Sequence, residues 1–183
     1  MTKPARNQIA NEVQARLQAG DRKETVYREL KDLYGAGPVQ RPLAQWPDPA
    51  DKEKNKSFNY TLLILAAFFA GLKLVQIVQI FQTVERAAIL PVLPLLAIPI
   101  IIYTFVIYGI KNGNLIGYML IVLLGLQNIL QVAQTSPLNP HAFMLLAMSL
   151  AAVILGGLQK KRLFPNVTVL MRHKKDADGN PIF

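Results

Sequence analysis

The chain has no cysteine, only two histidines and, between Glu53 and Asp176, a single acidic residue, Glu85. Each shortage closes off a class of chemistry. Without thiols there are no disulfides and no thiolate metal sites. His141 and His173 are far apart and sit beside no carboxylate cluster, which argues against a metal centre. No carboxylate falls clearly inside the long apolar runs, whereas proton-coupled carriers usually depend on an intramembrane acidic residue. A Ser/His/Asp set and a phosphate-binding loop are also missing, so the sequence reads as non-enzymatic, with no cofactor and no metal.

What the chain does have is long apolar runs. Four cover residues 58–83, 87–110, 115–135 and 141–158, with a few residues between them. Each comes close to the ~20 residues that a helix needs to cross a hydrocarbon core. The runs are nearly unbroken, where the helices of a soluble core would show periodic apolar positions. The first starts near Phe58, too deep and too long for the apolar region of a cleaved leader. The expected fold is an all-α membrane protein. It has a four-transmembrane-helix bundle over 58–158, a cytosolic N-terminal helical hairpin over 1–37 and a linker over 38–57. A basic tail, a short hairpin or extended segment, covers 159–183.

The net charge of +9 invites a nucleic-acid reading, but its distribution favours a lipid bilayer. Eleven of the twenty Lys and Arg residues precede Ser57 and six follow Leu158, where membrane proteins place basic residues to set orientation. Lys52, Lys54 and Lys56 precede the first run, and Glu85 and Arg86 cancel in the first loop. Lys111 marks the second loop, the third carries no Lys or Arg, and Lys160-Lys161-Arg162 follow the fourth run. The alternation puts both termini in the cytoplasm.

In the N-terminal segment Ile9, Val13 and Leu17 fall at i, i+4, i+8, and Val26, Leu30 and Leu33 make a second stripe flanked by Tyr27 and Tyr34. Gly20 suits a left-handed helix cap, and Asp21 with Glu24 resembles a capping box. Gly35 and Gly37-Pro38 are expected to stop the second helix. Two such stripes bury little area and need a further surface, to which Leu43 and Trp46 are candidates.

The polar residues inside the runs are the candidate site. Lys73, Gln76, Gln79 and Gln82 form a slanted stripe in the first. In the third, Gln127, Gln131 and Gln134 share one face at i, i+4, i+7, with Asn128 beside them. Both sets fall in the outer halves of spans that run outward, so they can meet as an amide seam or line a wet pocket. A third reading has the first helix project past the bilayer, with Lys73 reaching outward. Pro91, Pro94 and Pro99 are expected to kink the second helix or delay its start. Tyr103 and Tyr108 read as interface anchors, and Gly156-Gly157 with Ala147, Ala151 and Ala152 as a close-contact surface.

A hairpin with a glycine turn, four apolar runs and a basic tail ending Asp178-Gly179-Asn180-Pro181-Ile182-Phe183 make a layout that resembles small bacterial four-span inner-membrane proteins. The resemblance implies an inner-membrane location and carries no activity. The expected function is anchoring or assembling partners at the membrane. The partners are the lipid bilayer, a second copy of the chain, or a membrane or cytosolic protein. The alternative is a small transporter or channel subunit with its path along the first and third spans.

Overall fold

A computed structural model of the chain describes residues 6–83, 86–134, 140–168, 173–177 and 181–182, with the backbone alone for Arg6, 86–92, 94 and 95. Among the described residues the fold is helical apart from turns and two isolated antiparallel bridges, Val167 with His173 and Lys175 with Pro181. The helices are α1 (Arg6–Ala19), α2 (Lys23–Tyr34), α3 (Ala36–Gln45), α4 (Pro49–Lys54), α5 (Lys56–Thr83), α6 (Arg86–Asn112), α7 (Leu115–Ala133) and α8 (Pro140–Leu163). Three of them, α5, α7 and α8, are long and apolar enough to cross a membrane, and the described apolar part of α6 is Leu96–Asn112. α6 is helical through Pro91, Pro94 and Pro99. α8 runs on past the expected boundary at Leu158, through Lys160-Lys161-Arg162. Glu85, the expected third loop over 136–139 and residues Asp178-Gly179-Asn180 of the expected tail hairpin lie outside the described residues.

The chain divides into two compact units. A terminal unit comprises Met1–Ser57, Gly113–Leu115 and Leu158–Phe183, and an apolar unit comprises Phe58–Asn112 and Ile116–Gly157.

The core of the terminal unit is a three-helix cluster of Ile9, Val13, Leu17, Val26, Leu30, Val39 and Leu43, with Tyr27, Tyr34 and Trp46 against it. Val39 and Leu43 come from α3, in a segment where the sequence suggested a linker. Pro38 lies in the first turn of α3, where a missing N–H is no loss, and Pro42 is tolerated in a ten-residue helix that a core holds in place. The unit is therefore larger than a hairpin. α4 replaces another part of the expected linker, with Asp48 as its cap accepting from the Ala50 N–H at 3.1 Å.

Two local expectations also change. Leu33 is 68% exposed, so the buried stripe of α2 is Lys23, Val26 and Leu30. No capping box forms at Asp21. Arg22 occupies the cap position without a side-chain bond, and the Lys23 N–H reaches the Asp48 carboxylate, 25 residues on, at 3.5 Å. Gly20 does take a positive φ, 102°, and the Asp21 N–H closes the end of α1 onto the Arg16 carbonyl. Arg16 pairs with Glu29 and Glu12, and Tyr34 donates to Glu12 at 3.0 Å, which ties α1 to α2 at their polar edge.

Candidate functional site

The apolar unit is drawn together where its helices have small residues. A Cβ on Gly117 would sit 2.6 Å from the Gly109 carbonyl carbon and from the Ile110 nitrogen, so α6 and α7 touch backbone to backbone. A Cβ on Gly125 would meet the Val153 side chain at 2.8 Å, and one on Gly156 the Val122 side chain at 2.8 Å, which packs α7 on α8. Gly157, the other member of the expected small surface, has nothing within 4 Å.

Inside this packing lie polar groups. The Tyr118 hydroxyl donates to Asn59 Oδ1 at 2.7 Å, joining α7 to α5 near the start of both helices. Asn128 and Tyr103 form a second hydrogen-bonded pair, joining α7 to α6. The Tyr103 ring packs on Phe69 at 6.4 Å between centroids. Tyr103 is therefore interior, and of the two tyrosines expected at the interface only Tyr108 is exposed. Ser149 is fully buried, its Oγ without a partner among the described residues. Two Tyr–Asn pairs satisfy polar atoms buried among apolar side chains, which offsets the cost of burying them there. Neither pair shows in the sequence, where its members stand on different helices; Asn128 appears there only as a neighbour of the Gln127 stripe and Tyr103 only as an expected interface anchor.

The sequence-derived site residues are elsewhere on the same helices. Lys73 is half-buried, and its ammonium donates to Gln76 Oε1 at 3.2 Å. Gln76, Gln79, Gln127, Gln131 and Gln134 are exposed. Lys73 and Gln76 are thus brought together. No hydrogen bond joins the glutamines of α5 to those of α7 among the described residues. The Asn59–Tyr118 pair gives the register. Ala133, the last residue of α7, is fifteen past Tyr118, and fifteen past Asn59 is Leu74. At about 1.5 Å per residue, Lys73 is level with the end of α7, and Gln76, Gln79 and Gln82 extend beyond it.

A second constellation sits in the terminal unit. The Lys23 side chain, 5% exposed, lies with its ammonium 5.5 Å from the centre of the Phe164 ring. Burial lowers its pKa to about 8, against the pull of Asp48, Asp51 and Glu24. His173, from the tail, is buried as well. Its pKa falls to about 4, through burial first and then the nearby Lys23 charge. His173 Nδ1 is 3.1 Å from the Ile182 carbonyl, which can only accept, so the neutral ring carries its proton on Nδ1. Gln159 Nε2 donates to the Asn55 carbonyl at 3.1 Å, and a Cβ on Gly113 would be 3.2 Å from Pro47 Cγ. The tail, the α6–α7 connection and the N-terminal helices thus pack on one another within this unit.

No family model, no curated protein and no solved structure matches the chain.

Proposed function

We propose that the protein is a four-span integral membrane scaffold, with both termini in the cytoplasm, that presents its terminal unit to partner proteins. Three long apolar helices make it compatible with a membrane protein, and in this reading α6, helical over Arg86–Asn112, is the fourth crossing. The observation that carries the reading is the composition of the terminal unit. Its three pieces are the chain before α5, the connection between α6 and α7, and the chain from the end of α8. A chain that leaves a water-exposed unit along α5, returns by α6, leaves along α7 and returns by α8 crosses a membrane an even number of times. The basic residues agree, since Lys52, Lys54 and Lys56 lie at or before the start of α5, Lys111 at the end of α6, and Lys160, Lys161 and Arg162 at the end of α8.

Scaffolding is favoured over transport by where the polar groups lie. The interior ones are uncharged, with Asn59–Tyr118 and Asn128–Tyr103 paired and only the small Ser149 hydroxyl without a partner among the described residues, and the glutamines of the α5 and α7 stripes are exposed. A permeation path needs polar groups that converge around water. A photocrosslinking residue at Leu33, the exposed apolar position of α2, should capture a discrete protein adduct in cells. Proteoliposomes holding the pure protein should leak ions and small solutes no faster than empty vesicles. Solute flux abolished by Lys73→Met would replace the scaffold with the transporter reading.

A further inference from the structure

The exposed face of α7 has a regular composition. Ile116, Leu120, Leu123, Gln127, Leu130 and Gln134 follow one another at intervals of 4, 3, 4, 3 and 4, with Gln134 in the turn that closes the helix. That is the 3.5-residue repeat of a left-handed helix pair, with Leu120, Gln127 and Gln134 in one series and Ile116, Leu123 and Leu130 in the other. Leu123 is 57% and Leu130 65% exposed, and Leu120 is half-buried. The opposite face, Ile121, Gly125, Asn128 and Val132, is buried within the unit. Gln131, Leu126 and Ala133 flank the seam and are exposed too. Leucines alone would be content against lipid. Gln127 would not, because it is twelve residues from Leu115, roughly 18 Å into a hydrocarbon core of about 30 Å, where an unpaired amide is costly.

We propose that this face binds the same face of a second copy of the chain, with α7 parallel to its counterpart about a two-fold axis along the membrane normal. The proposal rests on the membrane insertion argued above. All copies of a membrane protein insert in one orientation, so a helix pairing with itself does so in parallel, and each seam residue meets its own copy. A side chain that meets its own copy must both donate and accept. Lysine and ionised glutamate fail that test, and glutamine passes it. The two series then serve different ends. Leucine and isoleucine layers fill the seam, while Gln127 and Gln134 set its register, as a polar residue does in a coiled coil. The scaffold thereby displays two terminal units side by side.

Because the native chain lacks cysteine, single substitutions give a direct test. Leu123→Cys, Gln127→Cys, Leu130→Cys and Gln134→Cys should each form disulfide-linked dimers on mild oxidation in membranes. Phe105→Cys on α6 and Leu150→Cys on α8, both on exposed faces, should stay largely monomeric. Equal crosslinking at all six positions, or none along the seam, overturns the proposal. Subunit counting in dilute bilayers tests the amide. Gln127→Leu should weaken dimerisation roughly 3- to 20-fold, the range of an interhelical amide bond, and Gln127→Asn should retain most of it. A Leu variant that dimerises as well as the parent removes the amide from the account. Labelling at Asn112 from each side of the membrane, repeated in the Leu variant, separates the two questions. An altered pattern there strikes at membrane topology, whereas an unaltered one assigns the loss to the seam.

Discussion

The Tyr118 hydroxyl and Asn59 Oδ1 lie 2.7 Å apart in the interior of the apolar unit, bridging two helices 59 residues apart in sequence. This bond sets the register from which the depths of the other polar residues follow. Tyr118→Phe removes the donor and should cost about 1 kcal/mol, within the range for such bonds between membrane helices. Asn59→Leu should cost a similar amount. The double variant should cost less than the sum of the two, since both remove one interaction. Unfolding in mixed micelles measures all three. Strict additivity would mean that the bond contributes nothing.

Glycines give a sharper contrast. At Gly117 an added methyl would collide with the α6 backbone at 2.6 Å, and backbone cannot rotate aside. Gly117→Ala should destabilise the apolar unit by about 1–3 kcal/mol, the usual cost of overpacking. Gly157→Ala meets nothing within 4 Å and should be neutral, or stabilising by up to about 1 kcal/mol through helix propensity. A Gly117→Ala variant as stable as the parent would contradict the close α6–α7 contact.

The core of the terminal unit separates two leucines that the sequence pattern made equivalent. Leu30 is fully buried and Leu33 is 68% exposed. Leu30→Ala should cost roughly 2–5 kcal/mol, and Leu33→Ala less than about 0.5 kcal/mol. Protease cleavage rates within α1 and α2 of the full chain report the difference. Equal rates in the two variants would mean that α2 packs by another face.

Helical periodicity made α1 and α2 legible, and unbroken apolar runs did the same for the long helices, because stripes and runs are local signals. α3 was not legible. Its two prolines carry the local signature of a break, and only the burial of Val39 and Leu43 against α1 and α2 overrides it. The Asp48 partner of the Lys23 N–H was invisible for a similar reason, since Asp21 is the nearer cap by sequence and the bond runs instead to Asp48, 25 residues on. Within the membrane helices the glutamine stripes stood out as clusters. The Tyr–Asn pairs did not, because an Asn on one helix and a Tyr on another become a pair only once register is known.

Acidity and alkalinity should act on the terminal unit through two buried groups. Between pH 6.5 and about 4 the unfolded chain takes up a proton that folded His173 refuses, so stability falls as pH falls through that window. Between about pH 8 and 10.5 the unfolded chain keeps a proton that folded Lys23 has released, so stability rises with pH there. Each change is at most about 3 kcal/mol. Lys23→Met should therefore stabilise the unit at pH 7, with the advantage shrinking towards pH 10.5, and should move the His173 titration upward. Proton NMR of the imidazoles across a pH series, with thermal unfolding alongside, tests both signs. A Lys23→Met variant less stable than the parent at pH 7 would show that the ammonium is a net stabiliser.

The central claim is that the chain before α5, the α6–α7 connection and the chain after α8 share one side of a membrane. Single substitutions Gly35→Cys, Asn112→Cys, Lys175→Cys and His141→Cys, treated with an impermeant thiol reagent in right-side-out and inverted vesicles, measure this directly. The account expects the first three to label only in inverted vesicles and the fourth only in right-side-out ones. Labelling of Asn112→Cys or Lys175→Cys from the side opposite to Gly35→Cys would contradict it.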